Sequence, residues 1–119
     1  MGPLIKLSLA LAILITSTTS YASDFCDKVN ETTYRDETYL TPPGQIYRVT
    51  GPDKLYLYSA PNRKCSYGEN IFLIENDKVQ AYTEFNEFLS IMYFREDGET
   101  IEGWALKKQL SQTNERISP

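Results

Sequence analysis

Between positions 45 and 106 the sequence is divided into short runs rich in aromatic and β-branched residues, and most runs end in turn-forming residues. The runs cover Gln45–Thr50, Lys54–Ser59, Ile71–Ile74, Val79–Phe85, Phe88–Phe94 and Ile101–Leu106. No stretch of ten or more residues here repeats its apolar residues with the 3.6-residue period of a helix. The pattern predicts an all-β domain, a small barrel of five to six short antiparallel strands.

Alternation within these runs predicts which side chains face the interior. Successive residues of a strand point to opposite faces, and the aliphatic set of each run is expected inside. The inward set is Leu55, Leu57, Val79, Ala81, Leu89, Ile91 and Tyr93. The same alternation leaves Tyr56, Tyr58 and Tyr82 at least partly exposed.

The first 22 residues have the three-part pattern of a secretory signal peptide. Lys6 precedes the nine-residue apolar run Leu7–Ile15, and Ser20 and Ala22 occupy the −3 and −1 positions of a cleavage site. The run is about half of the roughly 20 apolar residues that span a bilayer. We therefore expect cleavage after Ala22 and a periplasmic or secreted product that does not insert into a membrane.

The two cysteines, Cys26 and Cys65, follow the predicted cleavage site. Export would place them where disulfides persist, so we expect a bridge between them. The alternative is one buried and one exposed free thiol. Because no Cys-x-x-Cys spacing is present, the predicted bridge is structural and not redox-active.

Composition divides the rest of the chain into a domain with two flanking segments. Residues 23–44 are mostly polar, lack a strand or helix period, and end in the break Pro42-Pro43-Gly44. We predict an irregular N-terminal arm over 23–44, clipped by the disulfide. The β-barrel domain is predicted over 45–111, and a flexible tail over 112–119.

The chain contains no histidine, and 12 basic residues face 16 acidic ones. This excludes Ser-His-Asp and Cys-His nucleophile pairs and histidine-ligated zinc, and two cysteines cannot complete a four-cysteine site. An acidic chain also repels nucleic-acid phosphates. Carboxylate pairs could hydrolyse glycosides, but these acids fall mostly at turns, where no apolar pocket would raise a pKa. We expect no enzymatic activity, no cofactor, no metal and no nucleic-acid partner.

Four motifs in order resemble the bacterial SH3 (SH3b) domain family of small exported β-barrels. They are KLYLYSAPN at 54–62, IFLIENDKVQAY at 71–82, FLSIMY at 88–93, and Gly103-Trp104-Ala105 followed by Leu110. The resemblance covers about residues 46–110. Ala105 stands where the family has a larger aliphatic residue, and the loop with Cys65 is longer than usual.

The resemblance implies binding without catalysis, with a protein or peptidoglycan ligand in a shallow aromatic-lined groove. The candidate ligand-binding residues are Tyr56, Tyr58, Tyr82, Phe88 and Trp104. Aromatic faces stack on sugars or peptides while their polar tips form hydrogen bonds. The alternative is that these rings fill the core of a small barrel.

Acidic residues are concentrated between Glu69 and Glu102, where nine of them stand against only Lys78 and Arg95. Such a surface can steer a basic protein partner, or it can serve only solubility. A basic partner favours an alternative function, an inhibitor or immunity protein that neutralises a secreted wall-active enzyme or toxin. The oligomeric state is left open.

Overall fold

The computed structural model describes residues 20–117, with side chains from residue 24 onward. The predicted signal peptide lies outside these residues, except for its last three, whose backbone belongs to helix α1. The elements are α1 (Ser20–Asp36), β1 (Thr38–Tyr39), β2 (Gln45–Val49), β3 (Leu55–Tyr56), β4 (Phe72–Leu73), β5 (Lys78–Phe85), β6 (Phe88–Phe94), β7 (Thr100–Leu106) and β8 (Leu110–Arg116). Two short 3₁₀ turns, Arg63–Cys65 and Lys107–Gln109, lie between strands.

The strands form one large antiparallel sheet in the order β7-β6-β5-β2-β8, and β1 pairs with β5 beside β2. Strands β3 and β4 form a separate two-stranded sheet. The β5–β6 hairpin is closed by Asn86-Glu87, where Asn86 takes a φ of 54° that asparagine tolerates better than most residues. The described part of the chain is therefore mostly antiparallel β-sheet, as predicted, with one helix in addition.

The large sheet is open, because no pairing among the described strands joins its edges β7 and β8. The chain after β3 reaches the free edge of β7 at one position, where the backbones of Tyr58 and Trp104 exchange hydrogen bonds of 2.9 and 2.8 Å. It then turns away, and the Ser59 N–H bonds to the carbonyl of Cys65 instead. The predicted closure into a barrel is not confirmed.

The main core lies on one face of the large sheet, between it and the small sheet. Its buried residues are Tyr47, Val49, Leu55, Leu57, Leu73, Val79, Ala81, Leu89, Ile91, Ala105 and Leu110. Every aliphatic residue predicted to face inward is in this cluster, and Tyr93 packs against it half-buried. Strand alternation thus identified the interior correctly.

A smaller cluster covers part of the opposite, outer face of β6 and β7. Phe88, Trp104 and Leu106 are buried there, and Tyr58 and Phe85 pack against them. A third small cluster is formed by the disulfide Cys26–Cys65, Ala60 and Val29. Ala60 follows Tyr58 of the second cluster by two residues. The sheet therefore has apolar contacts on both faces at this end.

The predicted irregular arm is wrong over most of its length, because α1 spans Ser20–Asp36. Its inner face consists of Cys26, Val29 and Thr33, which lie one and two turns apart. The Thr33 hydroxyl donates to the Val29 carbonyl at 2.8 Å, so this polar residue is satisfied at 2% exposure. Because this face combines a cysteine, a valine and a threonine, the sequence shows no helical repeat of apolar residues.

The last strand also differs from the prediction, since β8 continues to Arg116 and takes up most of the expected tail. Gln45 pairs with Arg116 and Tyr47 with Gln112 in the β2–β8 register. The Thr113 hydroxyl donates to the Ile46 carbonyl at 2.8 Å. The segment is held by its backbone pairing with β2. Its side chains are mostly polar and exposed, so the sequence shows no alternation of apolar residues there.

Candidate functional site

An open groove of about 530 Å³ lies on the outer face of the large sheet. It is lined by residues of β1, β5, β6 and β7, by Asn30 of α1, and by Ser59 and Tyr67. Four aromatic residues line it, Tyr39, Tyr67, Tyr82 and Trp104. We call this surface the aromatic groove.

Strand register explains why these side chains share one face. Ser90 pairs with Trp104, and Met92 pairs with Glu102, across β6 and β7. All four residues line the groove. The Tyr82 hydroxyl, from β5, lies 3.5 Å from the Met92 sulfur and extends the same surface across a third strand.

A pair of hydroxyls fixes the floor where β5 is irregular. The β5–β6 register shifts between Ala81 and Thr83, so the Thr83 N–H bonds to the Ser90 hydroxyl oxygen at 3.0 Å. The two hydroxyl oxygens lie 2.7 Å apart. The Thr83 and Ser90 hydroxyls are hydrogen-bonded to each other. They shape the floor of the groove without offering a free nucleophile.

Trp104 forms one flank of the groove and is held from two directions. Its backbone is bonded to Tyr58 on the free edge of β7, and its ring belongs to the cluster with Phe88 and Leu106. Only 9% of the residue is exposed. The ring is therefore a rigid wall and not a mobile flap.

Gly103 allows the backbone of Tyr58 to approach β7 beside Trp104. A Cβ atom at position 103 would lie 3.1 Å from the carbonyl oxygen of Tyr58, which is tighter than ordinary packing, and that backbone cannot swing aside. The same Cβ would lie 3.4 Å from Cε2 of Tyr67, an ordinary contact. Glycine at this position therefore permits the Tyr58–Trp104 bridge.

Helix α1 supplies the opposite wall. Asn30 lines the groove, and its amide donates to the carbonyl of Ser59 at 2.9 Å. The disulfide fixes the same helix one turn earlier, at Cys26. The wall is thus tied both to the loop before Cys65 and to that cysteine itself.

The electrostatics of the groove depend on one carboxylate. Among the lining residues Glu102 is the only charged one. Burial raises the pKa of Tyr82 above its ordinary 10.0, and the nearby negative charge of Glu102 raises it further. Tyr82 is therefore a neutral hydrogen-bonding group at any physiological pH.

The structure brings together two of the five predicted binding residues, Tyr82 and Trp104. Tyr58 lies behind the groove wall, half-buried, with its ring edge-on to Phe88 at 5.2 Å between centroids. Phe88 is only 2% exposed and is not among the residues that line the groove. Strand alternation places Phe88 on the outer face of the sheet, and the cluster with Trp104 and Leu106 covers that face at this position.

Tyr56 lies apart from the groove. Its ring packs edge-on against Phe72, 6.2 Å between centroids, and Lys54 places its ammonium 4.3 Å from the Phe72 ring centre. The prediction of one site containing both Tyr56 and Tyr82 is therefore not supported by the geometry.

Sequence inspection missed several groove residues. Tyr39 is in the segment predicted to be irregular, and it enters the groove because β1 pairs with β5 at Tyr39 and Thr83. No local signal could have found it. Tyr67 lies between a disulfide cysteine and a glycine in the sequence, but its position depends on the hydrogen bond from its N–H to the Leu57 carbonyl at 3.0 Å.

A second hollow of about 470 Å³ lies on a different part of the molecule. It is lined by exposed aliphatic and aromatic residues, including Ile71, Phe72 and Ile74, which are 37, 37 and 55% exposed. Asp77 and Glu96 also line it, and its one base, Arg95, is salt-bridged to Asp97 at 3.6 Å. We call this surface the acidic hollow.

Comparison with protein-family models, with curated proteins and with solved structures finds no match to this chain. Across residues 20–117, no helix has both the length and the apolar character needed to cross a membrane. The same residues contain no group of three or more histidine, cysteine, aspartate or glutamate side chains placed to hold a metal ion.

Proposed function

We propose that this protein is an exported, non-catalytic SH3-like binding module that holds a protein or cell-wall ligand in the aromatic groove. The observation that carries the proposal is the groove itself, with four aromatic side chains around a floor of small polar groups. Aromatic side chains that line a surface groove bind peptides and sugar rings, since they provide apolar contact and a polar tip together.

Two features support the SH3-like assignment. The Tyr58–Trp104 bridge brings the chain that follows β3 to the edge of β7, and both sheets contribute residues to the main core. The segments that carry the resemblance supply that core, with Leu55 and Leu57 from the first motif and Ala105 from the last.

Binding without catalysis fits the chemistry of the groove. The chain has no histidine, and the Thr83 and Ser90 hydroxyls are bonded to each other. Glu102 is the one carboxylate in the lining, so a pair of acids of the kind that hydrolyses glycosides is not present there. Export is supported by the disulfide, which persists in oxidising compartments.

The test uses purified mature protein and purified sacculi, with two matched tyrosine variants. Tyr82→Leu removes a ring from the groove, and Tyr56→Leu removes an equally half-buried ring outside it. If the ligand is cell-wall material, wild type and Tyr56→Leu sediment with sacculi while Tyr82→Leu stays in solution. Equal retention of all three proteins would contradict a role for the groove.

A protein ligand is tested with the same variants in pull-downs from a periplasmic extract. Partners should be retained by wild type and by Tyr56→Leu and lost by Tyr82→Leu. The proposed groove function would be refuted if wild type does not sediment with sacculi and Tyr82→Leu retains every protein partner that wild type retains.

A second candidate function, an inhibitor or immunity protein for a secreted wall-active enzyme or toxin, is favoured by the acidic hollow. Its exposed Ile71, Phe72 and Ile74 beside Asp77 and Glu96 suit a basic surface with apolar residues at its centre. This function predicts a one-to-one complex with a basic enzyme that weakens as salt rises. Ile74→Asp should break such a complex, whereas Tyr82→Leu should leave it intact.

A further inference from the structure

The charge in the aromatic groove is uncompensated. Glu102 is exposed at its rim, and in the described part of the chain no lysine or arginine lies within salt-bridge distance of it. Lys107 and Arg63, from the neighbouring end of the sheet and the adjoining loop, are bound instead to Glu84 and Glu87, at 2.7 and 2.9 Å. A ligand in this groove therefore meets one negative charge and no positive one.

The carboxylate also lies beside aromatic surface. Glu102 stands opposite Met92 in the β6–β7 register, and the Met92 sulfur touches the Tyr82 hydroxyl. Tyr82, Met92 and Glu102 thus form a continuous strip across three strands. Tyr67 and Tyr39, 48 and 66% exposed, present further aromatic surface in the same groove.

A carboxylate at the end of an aromatic strip selects for a particular ligand shape. A cation gains from the carboxylate and from the negative faces of the rings, whereas an anion is repelled by both. A lysine side chain has four methylene groups that can cover the rings while its ammonium reaches the rim. A neutral sugar would stack on the rings and donate hydroxyl hydrogen bonds to the carboxylate, but it would leave the negative charge uncompensated.

We propose that the aromatic groove binds a peptide through a lysine side chain, whose stem lies along Tyr82 and Met92 and whose ammonium pairs with Glu102. This proposal rests on the proposed binding function and specifies its ligand. We assign the lysine to a protein partner, because the nine acidic residues between Glu69 and Glu102 against two basic ones attract a basic protein surface. A lysine of a cell-wall peptide is the other outcome of the test.

The direct test compares two tripeptides that differ only in charge. The probes are N-acetyl-Ala-Lys-Ala-amide and N-acetyl-Ala-norleucine-Ala-amide, with chitotriose as a neutral sugar. Trp104 is the only tryptophan of the chain and lines the groove, so its fluorescence reports occupancy, and amide chemical shifts confirm the position. The lysine peptide should bind at least about fivefold more tightly than the norleucine peptide.

Two variants with the same net charge as each other separate the effect of the charge in the groove from the effect of the net charge of the protein. Glu102→Gln should lower affinity for the lysine peptide to that of the norleucine peptide and leave the latter unchanged. Glu75→Gln removes the same charge outside the groove lining and should alter neither affinity. Raising salt should weaken only the lysine peptide, and only in proteins that keep Glu102.

The source of the lysine is tested by competition. Displacement of the tripeptide by lysine-containing peptides of protein sequence, but not by a lysine-containing muropeptide, supports a protein partner. Stronger displacement by the muropeptide would overturn the assignment to a protein.

Three outcomes would overturn the proposal: equal affinity for lysine and norleucine peptides, an unchanged lysine affinity in Glu102→Gln, or no binding of the lysine peptide at millimolar concentration. Each leaves the proposed function standing if Tyr82→Leu still loses retention on sacculi or loses a protein partner. Failure of Tyr82→Leu in those assays would instead refute the groove function itself. The two failures are therefore distinguishable.

Discussion

Removal of the disulfide is the perturbation whose effect the structure specifies most directly. The bridge joins Cys26 of α1 to Cys65, 39 residues later, and the enclosed segment includes β1, β2 and β3. Cross-linking restricts the unfolded chain, and for a loop of this length the chain-entropy relation gives about 4 kcal/mol at 25 °C. The double variant Cys26→Ser/Cys65→Ser should therefore lose up to about 4 kcal/mol of unfolding free energy.

That loss is large for a domain of this size. A change of 1 kcal/mol moves Tm by roughly 4 to 8 °C in a domain of 60–100 residues, so we expect a fall of roughly 15 to 30 °C. Urea unfolding followed by Trp104 fluorescence measures the free energy, and thermal circular dichroism measures Tm. Wild type in reducing agent should match the double variant, and reducing agent should not change the variant further.

A loss below about 1 kcal/mol in both the variant and the reduced wild type would refute this reasoning. It would show that the unfolded chain is not restricted by the bridge to the extent that the loop length implies. The effect on α1 gives an independent measure, because the bridge lies on the same inner face as Val29 and Thr33. Hydrogen exchange in the helix should accelerate more than exchange in β6.

Two further predictions concern side chains around the groove. Ser90→Ala should cost about 1 to 3 kcal/mol in urea unfolding, because it leaves the N–H of Thr83, a residue 4% exposed, without its acceptor; a loss below about 0.5 kcal/mol would contradict the hydrogen-bond assignment. Arg63 donates two hydrogen bonds to Glu87 and lowers the pKa of that carboxyl below 4.5, so Arg63→Gln should return it towards 4.5 in an NMR titration. Because the folded pKa is depressed, the stabilisation exists above the unfolded pKa and is lost as pH falls through the folded one. An unchanged titration in Arg63→Gln would show that the pair does not form in solution.

The interior was predictable because strand alternation is a local property. Leu55, Val79 and Leu89 are marked by their immediate neighbours, and each is buried as expected. Alternation fails at Phe88 because it assigns a residue to a face and does not say whether that face is covered. Phe88 is covered by Tyr58 and Phe85, and the position of Tyr58 depends on its tertiary contacts with Phe88 and Trp104.

The helix and the last strand were missed for a related reason. Hydrophobic pattern detects elements that are held by apolar side chains, whereas α1 is held by a disulfide and an amide hydrogen bond from Asn30. Strand β8 is held by its backbone pairing with β2. The cysteine pair itself was predictable, since its evidence is the location of both cysteines after the leader.

The position of the groove follows from which part of the outer face of the sheet is covered. At one end Phe88, Trp104 and Leu106 are covered, and further along the same strands Met92 and Glu102 are not. The groove occupies the boundary, where the apolar cover ends at Trp104 and the wall formed by α1 is still present. A site of this kind needs the disulfide-linked helix as much as it needs the sheet. Ligand affinity should therefore fall when the bridge is removed, even at temperatures where the sheet remains folded.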